Sequence, residues 1–216
     1  MSAREEILQR VRAGLGKGDA ATRRALAERL LAAPVHGPQP VVDGDLATRF
    51  QQKALSLSST VERVAVMAEA PHAVRRFLDA GNLGQQAVLT SDLLGLDWTG
   101  SGLEVAARPA RDADQVGVSG CFCAIAETGT LMLLSGADTP ATVSLLPETH
   151  IALVPVSRIV ATMEDAFAFL RAERGSVPRA INFISGPSRT GDIEQTIVLG
   201  AHGPCRVHLI LIGEQQ

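Results

Sequence analysis

The sequence predicts an α/β layer fold, with helices on both faces of a mixed, mostly parallel sheet, preceded by N-terminal helices. Three observations predict it. From residue 58 onward, short apolar runs alternate with amphipathic segments of helical period. The runs are continuous rather than alternating, as in strands buried on both faces. Around residues 118–135, two such runs follow each other with only a short polar connection, which requires an antiparallel pair beside the parallel ones.

The N-terminal region reads as helices. Ser2 with Glu5 three residues on is a capping box, and Ile7, Leu8, Val11 and Leu15 form an apolar stripe ending near Gly14 or Gly16. Asp19 caps a second helix, with Leu26, Leu30 and Leu31 apolar and Arg23, Arg24, Glu28 and Arg29 solvated. Such short amphipathic helices pack on the main body or on a second copy of the chain in a homo-oligomer. Pro34, Gly37, Pro38, Pro40 and Gly44 mark a linker over residues 34–44. A third helix spans 45–57 before Ser58 and Ser59 break the pattern. The expected division is therefore a helical extension with a Pro/Gly-rich linker, 1–57, and an α/β domain, 58–216.

Within that domain, residues 61–67 read as a first strand, and Pro71 opens a helix that Gly81 stops. Residues 86–90 form a second strand, Asp92 begins a short turn or helix, and 103–107 form a peripheral third strand. The runs 121–126 and 131–134 make a central hairpin. Asp138-Thr139-Pro140 then caps a short helix ended by Pro147, and 150–156 is a strong buried strand that 158–160 extends or follows. Thr162 caps a helix stopped by Gly175, with Met163, Phe167 and Leu170 inward. Strands at 180–185 and 207–212 complete the sheet.

Composition removes several function classes. The chain has 216 residues, 46% of them hydrophobic, enough for one sizeable core with or without an appendage. A net charge of −3 gives no bulk attraction to nucleic acid or anionic membrane, and with no Tyr and one Trp there is no platform for stacking bases. The only lysines are Lys17 and Lys53, so anion binding falls to Arg, backbone N–H groups or helix N-termini. Three cysteines and a start unlike a signal sequence fit a reducing cytoplasm. Cys121 and Cys123 share one face of a strand and read as small core residues. No apolar run approaches the roughly 20 residues of a membrane span. There is no GxxxxGK[ST] loop, no GxGxxG after the first strand, no HExxH and no GxSxG. No metal and no cofactor is expected.

Three polar stretches can carry chemistry. In Glu127-Thr128-Gly129-Thr130, Gly129 supplies a positive φ for a tight turn. A carboxylate, two hydroxyls and backbone N–H groups then meet at the hairpin tip, either as a small-molecule site or as a turn whose hydroxyls cap its own backbone. The stretch Ser185-Gly186-Pro187-Ser188-Arg189-Thr190-Gly191-Asp192-Ile193-Glu194 follows a buried strand, where α/β folds collect ligands. Gly186 permits close approach. Ser185, Ser188 and Thr190 offer hydroxyls, Arg189 offers a planar fork for a carboxylate or phosphate, and Asp192 and Glu194 can orient it. In Gly200-Ala201-His202-Gly203-Pro204, His202 is an acid–base candidate or a structural turn residue, while Gly203 and Pro204 fix the turn. His150 and His208 sit in apolar runs and read as core or edge residues. The three stretches are expected to converge at one edge of a single sheet around a small anionic ligand.

Taken together, GVSGCFCAIAETGTLML, SGPSRTGDIE and GAHGPCRVHLILI resemble the LUD-domain family. The resemblance covers nearly the whole chain and is most specific in its C-terminal half. Gly191 stands where many relatives have Ala. The resemblance implies a three-layer α/β/α sandwich like that of NagB, RpiA and the CoA transferases. It implies a part in the oxidation of L-lactate to pyruvate, beside two iron–sulfur partner proteins that carry the clusters. The three scattered cysteines of this chain do not suit a cluster, so with its polar turns it reads as a non-redox subunit that binds a small anion. The resemblance also leaves open a stand-alone enzyme, CoA-transferase-like or sugar-phosphate-isomerase-like, acting on a small carboxylate, CoA thioester or phosphate. Glu127 would then be the nucleophile and Arg189 would hold the anion.

Overall fold

The computed structural model describes residues 2–15, 19–32, 37, 41–190 and 198–213. The chain divides into two compact units, Met1–Val41 and Val42–Gln216. The first holds α1 (Ala3–Gly14) and α2 (Ala20–Ala32). The capping box of α1 is formed: the Glu5 N–H donates to Ser2 Oγ at 3.3 Å, and the Ser2 N–H donates to Glu5 Oε2 at 2.7 Å. Asp19 caps α2 by accepting from the Thr22 N–H at 3.0 Å.

The second unit is the α/β body, and it begins earlier than residue 58. Its first element is α3 (Leu46–Ser56), capped by Asp45, which accepts from the Thr48 N–H at 2.7 Å. Phe50 and Ala54 lie one helical turn apart and are fully buried. They anchor α3 in the core of the body, so it is a layer of the domain and not part of the extension.

Six strands form a parallel sheet. In chain order they are β1 (Thr60–Val64), β2 (Gln86–Leu89), β3 (Glu104–Ala107), β4 (Val116–Gly120), β7 (Thr149–Pro155) and β12 (Arg206–Ile212). Across the sheet the order is β1-β12-β7-β4-β2-β3, and every pairing is parallel. Ile151 of central β7 lies between Val118 of β4 and His208 of β12. Both faces of β7 are covered, which explains its unbroken apolar run. The first strand ends at Val64; Met67 belongs to a short 3-10 turn that leads into α4 (Ala70–Ala80).

The hairpin is present but does not belong to this sheet. β5 (Cys123–Ile125) and β6 (Thr130–Leu134) join β8 (Ile159–Val160) and β9 (Ile181–Ile184) in a second sheet ordered β8-β5-β6-β9. There β5 runs antiparallel to β6 and parallel to β8. The parallel and antiparallel pairings thus stand side by side in this smaller sheet, while the six-stranded sheet is parallel throughout. The chain crosses between sheets at Gly120-Cys121-Phe122, where β4 stops and β5 has not begun. Cys121 and Cys123 consequently do not share a face: Cys121 packs on the α3 side of the hairpin, and Cys123 on its other side.

Layering follows from these faces. α4 covers one face of the parallel sheet through Ala73, Val74 and Leu78. On the opposite face, Ala152, Val154, Leu209 and Leu211 pack against α3 and against Ala124 and Leu131 of the hairpin. α6 (Met163–Arg174) closes the outside of the hairpin sheet through Ala166 and Leu170. It starts at a Thr162–Asp165 capping box and ends at Gly175 with φ +64°, as the sequence indicates. α5 (Thr142–Leu145) is shorter than expected and lacks a side-chain cap, because Ala141 stands at its N-cap; the Thr139 hydroxyl donates to the Leu134 carbonyl at 2.8 Å. The two-residue strands β10 (Arg189–Thr190) and β11 (Val198–Leu199) pair antiparallel. No helix among the described residues is long and apolar enough to cross a membrane.

Candidate functional site

Two of the three polar stretches meet around the end of α3, and the third joins them through Ser188. Gly129 has φ +69°, and a Cβ there would lie 2.7 Å from the Ala54 nitrogen. Gly186 has φ +83°, and a Cβ there would overlap the Leu57 carbonyl oxygen. Both glycines let strand ends touch the helix backbone, a role the residue type alone can fill. The Thr128 hydroxyl donates to Thr130 Oγ1 at 2.8 Å, and Thr130 Oγ1 lies 2.7 Å from Ser185 Oγ. The Arg189 guanidinium donates to the Leu57 carbonyl at 3.4 Å and to the Ser58 hydroxyl. Its charge therefore sits at the negative end of the α3 dipole. The third stretch is tied in by backbone: the Ser188 N–H donates to Pro204 O and the Gly200 N–H to Ser188 O, each at 2.9 Å. Gly203 faces Ser188 closely, since a Cβ on it would lie 3.4 Å from the serine Cβ. Thr190 is buried in the β10–β11 ladder. Glu127 is half-buried and anchored through its N–H to Ala161 O at 3.0 Å, and His202 is exposed. Asp192 and Glu194 lie outside the described residues. Much of the polar chemistry here is thus directed at the protein itself.

A cavity of about 230 Å³ lies elsewhere, at the carboxyl ends of β2 and β4. Here the strand order reverses: β2 leads outward to β3, and β4 leads the other way to β7. Loops part at such a point and leave a crevice. Thr90 and Asp92 follow β2; Ser119, Gly120 and Cys121 end β4; Ser144 comes from α5; and Arg158 and Arg174 come from the elements around β8 and α6. Ser119 Oγ is 2.8 Å from His150 Nε2, and both residues are buried. Burial pushes the His150 imidazole down to about 4, so it is neutral near pH 7. Burial, with a smaller contribution from Cys123, pushes the Cys121 thiol up to about 12, so it is no thiolate nucleophile. Arg158 is committed to structure. It donates to Phe122 O at 2.7 Å and to both Glu173 carboxylate oxygens at 2.6 and 3.0 Å, and it stacks on Phe122 and Phe169.

None of the candidate site residues of the three polar stretches lines this cavity, which adjoins the end of the β5–β6 hairpin opposite its turn. Thr90 reads as a strand end, Asp92 as a turn opener and Ser119 as part of a Gly/Ser run. Only the pairing of β4 with β7 would have joined Ser119 to His150. Among the described residues, no group of three or more His, Cys, Asp and Glu is placed to hold a metal ion.

The model of the LUD domain matches residues 47–212 of this α/β chain, which belongs to that family. Among individual relatives, Lactate utilization protein C of Bacillus subtilis (strain 168) is 39% identical over 135 residues, covering 57% of this chain and 56% of that protein. The protein of that name from Anoxybacillus flavithermus is 40% identical over 106 residues, 49% of this chain and 47% of the relative. That from Shouchella clausii is 38% identical over 143 residues, 65% and 60% respectively. The chain spans about half the length of the curated relatives it matches. The crystal structure of a DUF162 family protein from Deinococcus radiodurans shares the fold, with a TM-score of 0.58 and 24% identity over 78% of this chain and 96% of that one.

Proposed function

We propose that this chain serves L-lactate utilisation as a non-redox member of the oxidation system, beside iron–sulfur partner proteins, and binds a small anion. The observation that carries this reading is its 36–41% identity to proteins named Lactate utilization protein C. The placement of the thiols supports the non-redox part. Cys121 and Cys123 pack into different apolar clusters, while Cys205 Sγ faces the Glu148 carbonyl at 3.4 Å, so the three do not form a ligand set for an iron–sulfur cluster. The test is lactate-dependent dye reduction by the purified system with and without this chain. A severalfold drop on omission is expected; an unchanged rate rejects the proposal.

The hydroxyl chain Thr128–Thr130–Ser185 beside Glu127 favours a second reading, a CoA-transferase-like enzyme. The Glu127 carboxylate would attack the carbonyl carbon of an acyl-CoA, breaking the C–S bond and releasing CoA thiolate, to leave an acyl–glutamyl anhydride. Incubation with acyl-CoAs followed by hydroxylamine should then mark Glu127 in the native chain and nothing in E127Q. No mark with any acyl-CoA ends this reading.

A further inference from the structure

We infer that the crevice between the ends of β2 and β4 is a binding site for a small hydroxy acid, whose carboxylate meets Ser119 and Thr90 and whose hydroxyl meets Asp92. The inference rests on the small-anion reading above and gives that ligand a place and a chemistry.

Size sets the first limit. About 230 Å³ is below the roughly 300–1,000 Å³ of pockets for drug-sized ligands, so the crevice suits a small metabolite and not a whole nucleotide or CoA. Position sets the second, because the crevice lies at the strand-order reversal where open α/β sheets bind ligands.

The polar groups then select the occupant. Thr90 is only 3% exposed, and its hydroxyl has no hydrogen-bond partner among the described residues. A buried hydroxyl left in that state is costly, and a ligand oxygen reached by a turn about χ1 removes the cost. Ser119 is held from behind by His150, whose Nδ1 also lacks a partner in its buried surroundings. A bare nitrogen lone pair is easier to bury than an unmatched N–H, so the proton belongs on Nε2 and is donated to Ser119 Oγ. The Ser119 O–H is then free to donate into the crevice. Two hydroxyl donors on adjacent strands ask for an acceptor oxygen.

Asp92 asks for the opposite. Its Oδ2 lies 2.8 Å from where a Cβ on Gly120 would begin, so the missing side chain at 120 is what admits the carboxylate beside β4. This acceptor needs a hydrogen-bond donor from the ligand. Arg158 contributes no net charge, being paired with Glu173, and Arg174 supplies the positive charge in the lining. A molecule with a carboxylate at one end and a hydroxyl near it satisfies every group.

The test is calorimetric titration of the full chain with L-lactate, pyruvate and alanine. Lactate should bind, and pyruvate, which brings no donor to Asp92, should bind at least several-fold more weakly. Thr90→Val and Ser119→Ala should each weaken lactate at least about tenfold, about 1.4 kcal/mol. Asp92→Asn, at an exposed position that folding tolerates, should erase the preference for lactate over pyruvate even if a core variant fails to fold. Lactate binding unaffected by Asp92→Asn, no binding of lactate, or tighter binding of alanine overturns the inference. The dye-reduction assay reports separately: a system that needs this chain while lactate ignores Asp92 rejects the site and keeps the role. A site that responds while the system ignores the chain does the reverse.

Discussion

Acidification from about pH 7.5 to about pH 4.5 is expected to cost the folded chain about 5 kcal/mol. Two histidines carry this effect. His150 is fully buried and His208 is 4% exposed. Burial lowers both imidazoles from 6.5 to about 4, with Glu62 opposing it slightly for His208. The folded state therefore resists a proton that the unfolded chain accepts as soon as the pH falls below 6.5. Their contribution is intact above that value and drains away as the pH drops toward 4, by about 2–3 kcal/mol per histidine at pH 4.5. Domain stabilities are commonly about 5–15 kcal/mol, so the loss takes the protein close to unfolding. Urea denaturation at a series of pH values measures it. The second nitrogen of each ring, His150 Nδ1 and His208 Nε2, is buried without a partner among the described residues, so a proton added there finds no acceptor. A stability profile that stays flat from about pH 6.5 to 4.5 would show that neither ring is held neutral.

Replacing Gly117 with alanine is expected to destabilise the body by about 3 kcal/mol or more, at the upper end of overpacking penalties. Gly117 is buried on β4 between Val88 of β2 and His150 of β7. A Cβ there would overlap the Val143 carbonyl oxygen of α5 and lie 3.0 Å from its carbonyl carbon. The obstruction is backbone, so no rotamer change relieves it. Either α5 lifts from the sheet or β4 leaves its register. For a protein of this size, about 3 kcal/mol corresponds to a fall in Tm of roughly 6–12 °C. Gly84→Ala is the control: nothing lies within 4 Å of its Cβ position, and its Tm should be nearly unchanged. Equal melting temperatures for the two variants would mean that α5 yields at no cost.

What was legible in the sequence was what short-range chemistry determines. The caps at Ser2, Asp19 and Thr162 and the helix stop at Gly175 each depend on residues within a few positions, and all are present. The buried run of β7 was legible because a strand covered on both faces has no alternation to misread. The crossing at Gly120-Cys121-Phe122 was not, because two successive apolar strands look the same in one sheet or in two. The motif stretches stood out as polar, but their partners did not. Gly129 and Gly186 press on backbone from α3 and the residue that follows it, far back in the chain, and no local rule names that contact. The crevice was less legible still. Ser119 and His150 are 31 residues apart and meet only because β4 and β7 are neighbours. Thr90 matters only because its hydroxyl is shut in without a partner.

The place of β12 has a consequence for how the protein is made. It lies between β1 and β7, so Thr60 meets His208 across 148 residues of chain. As the polypeptide leaves the ribosome, β1 must wait, its inner edge unpaired, until nearly the whole body has been synthesised. Open strand edges of this kind invite pairing with other chains, and joining such distant segments is slow. Synthesis halted before Arg206 therefore leaves two sticky edges, on β1 and β7, with nothing to bridge them.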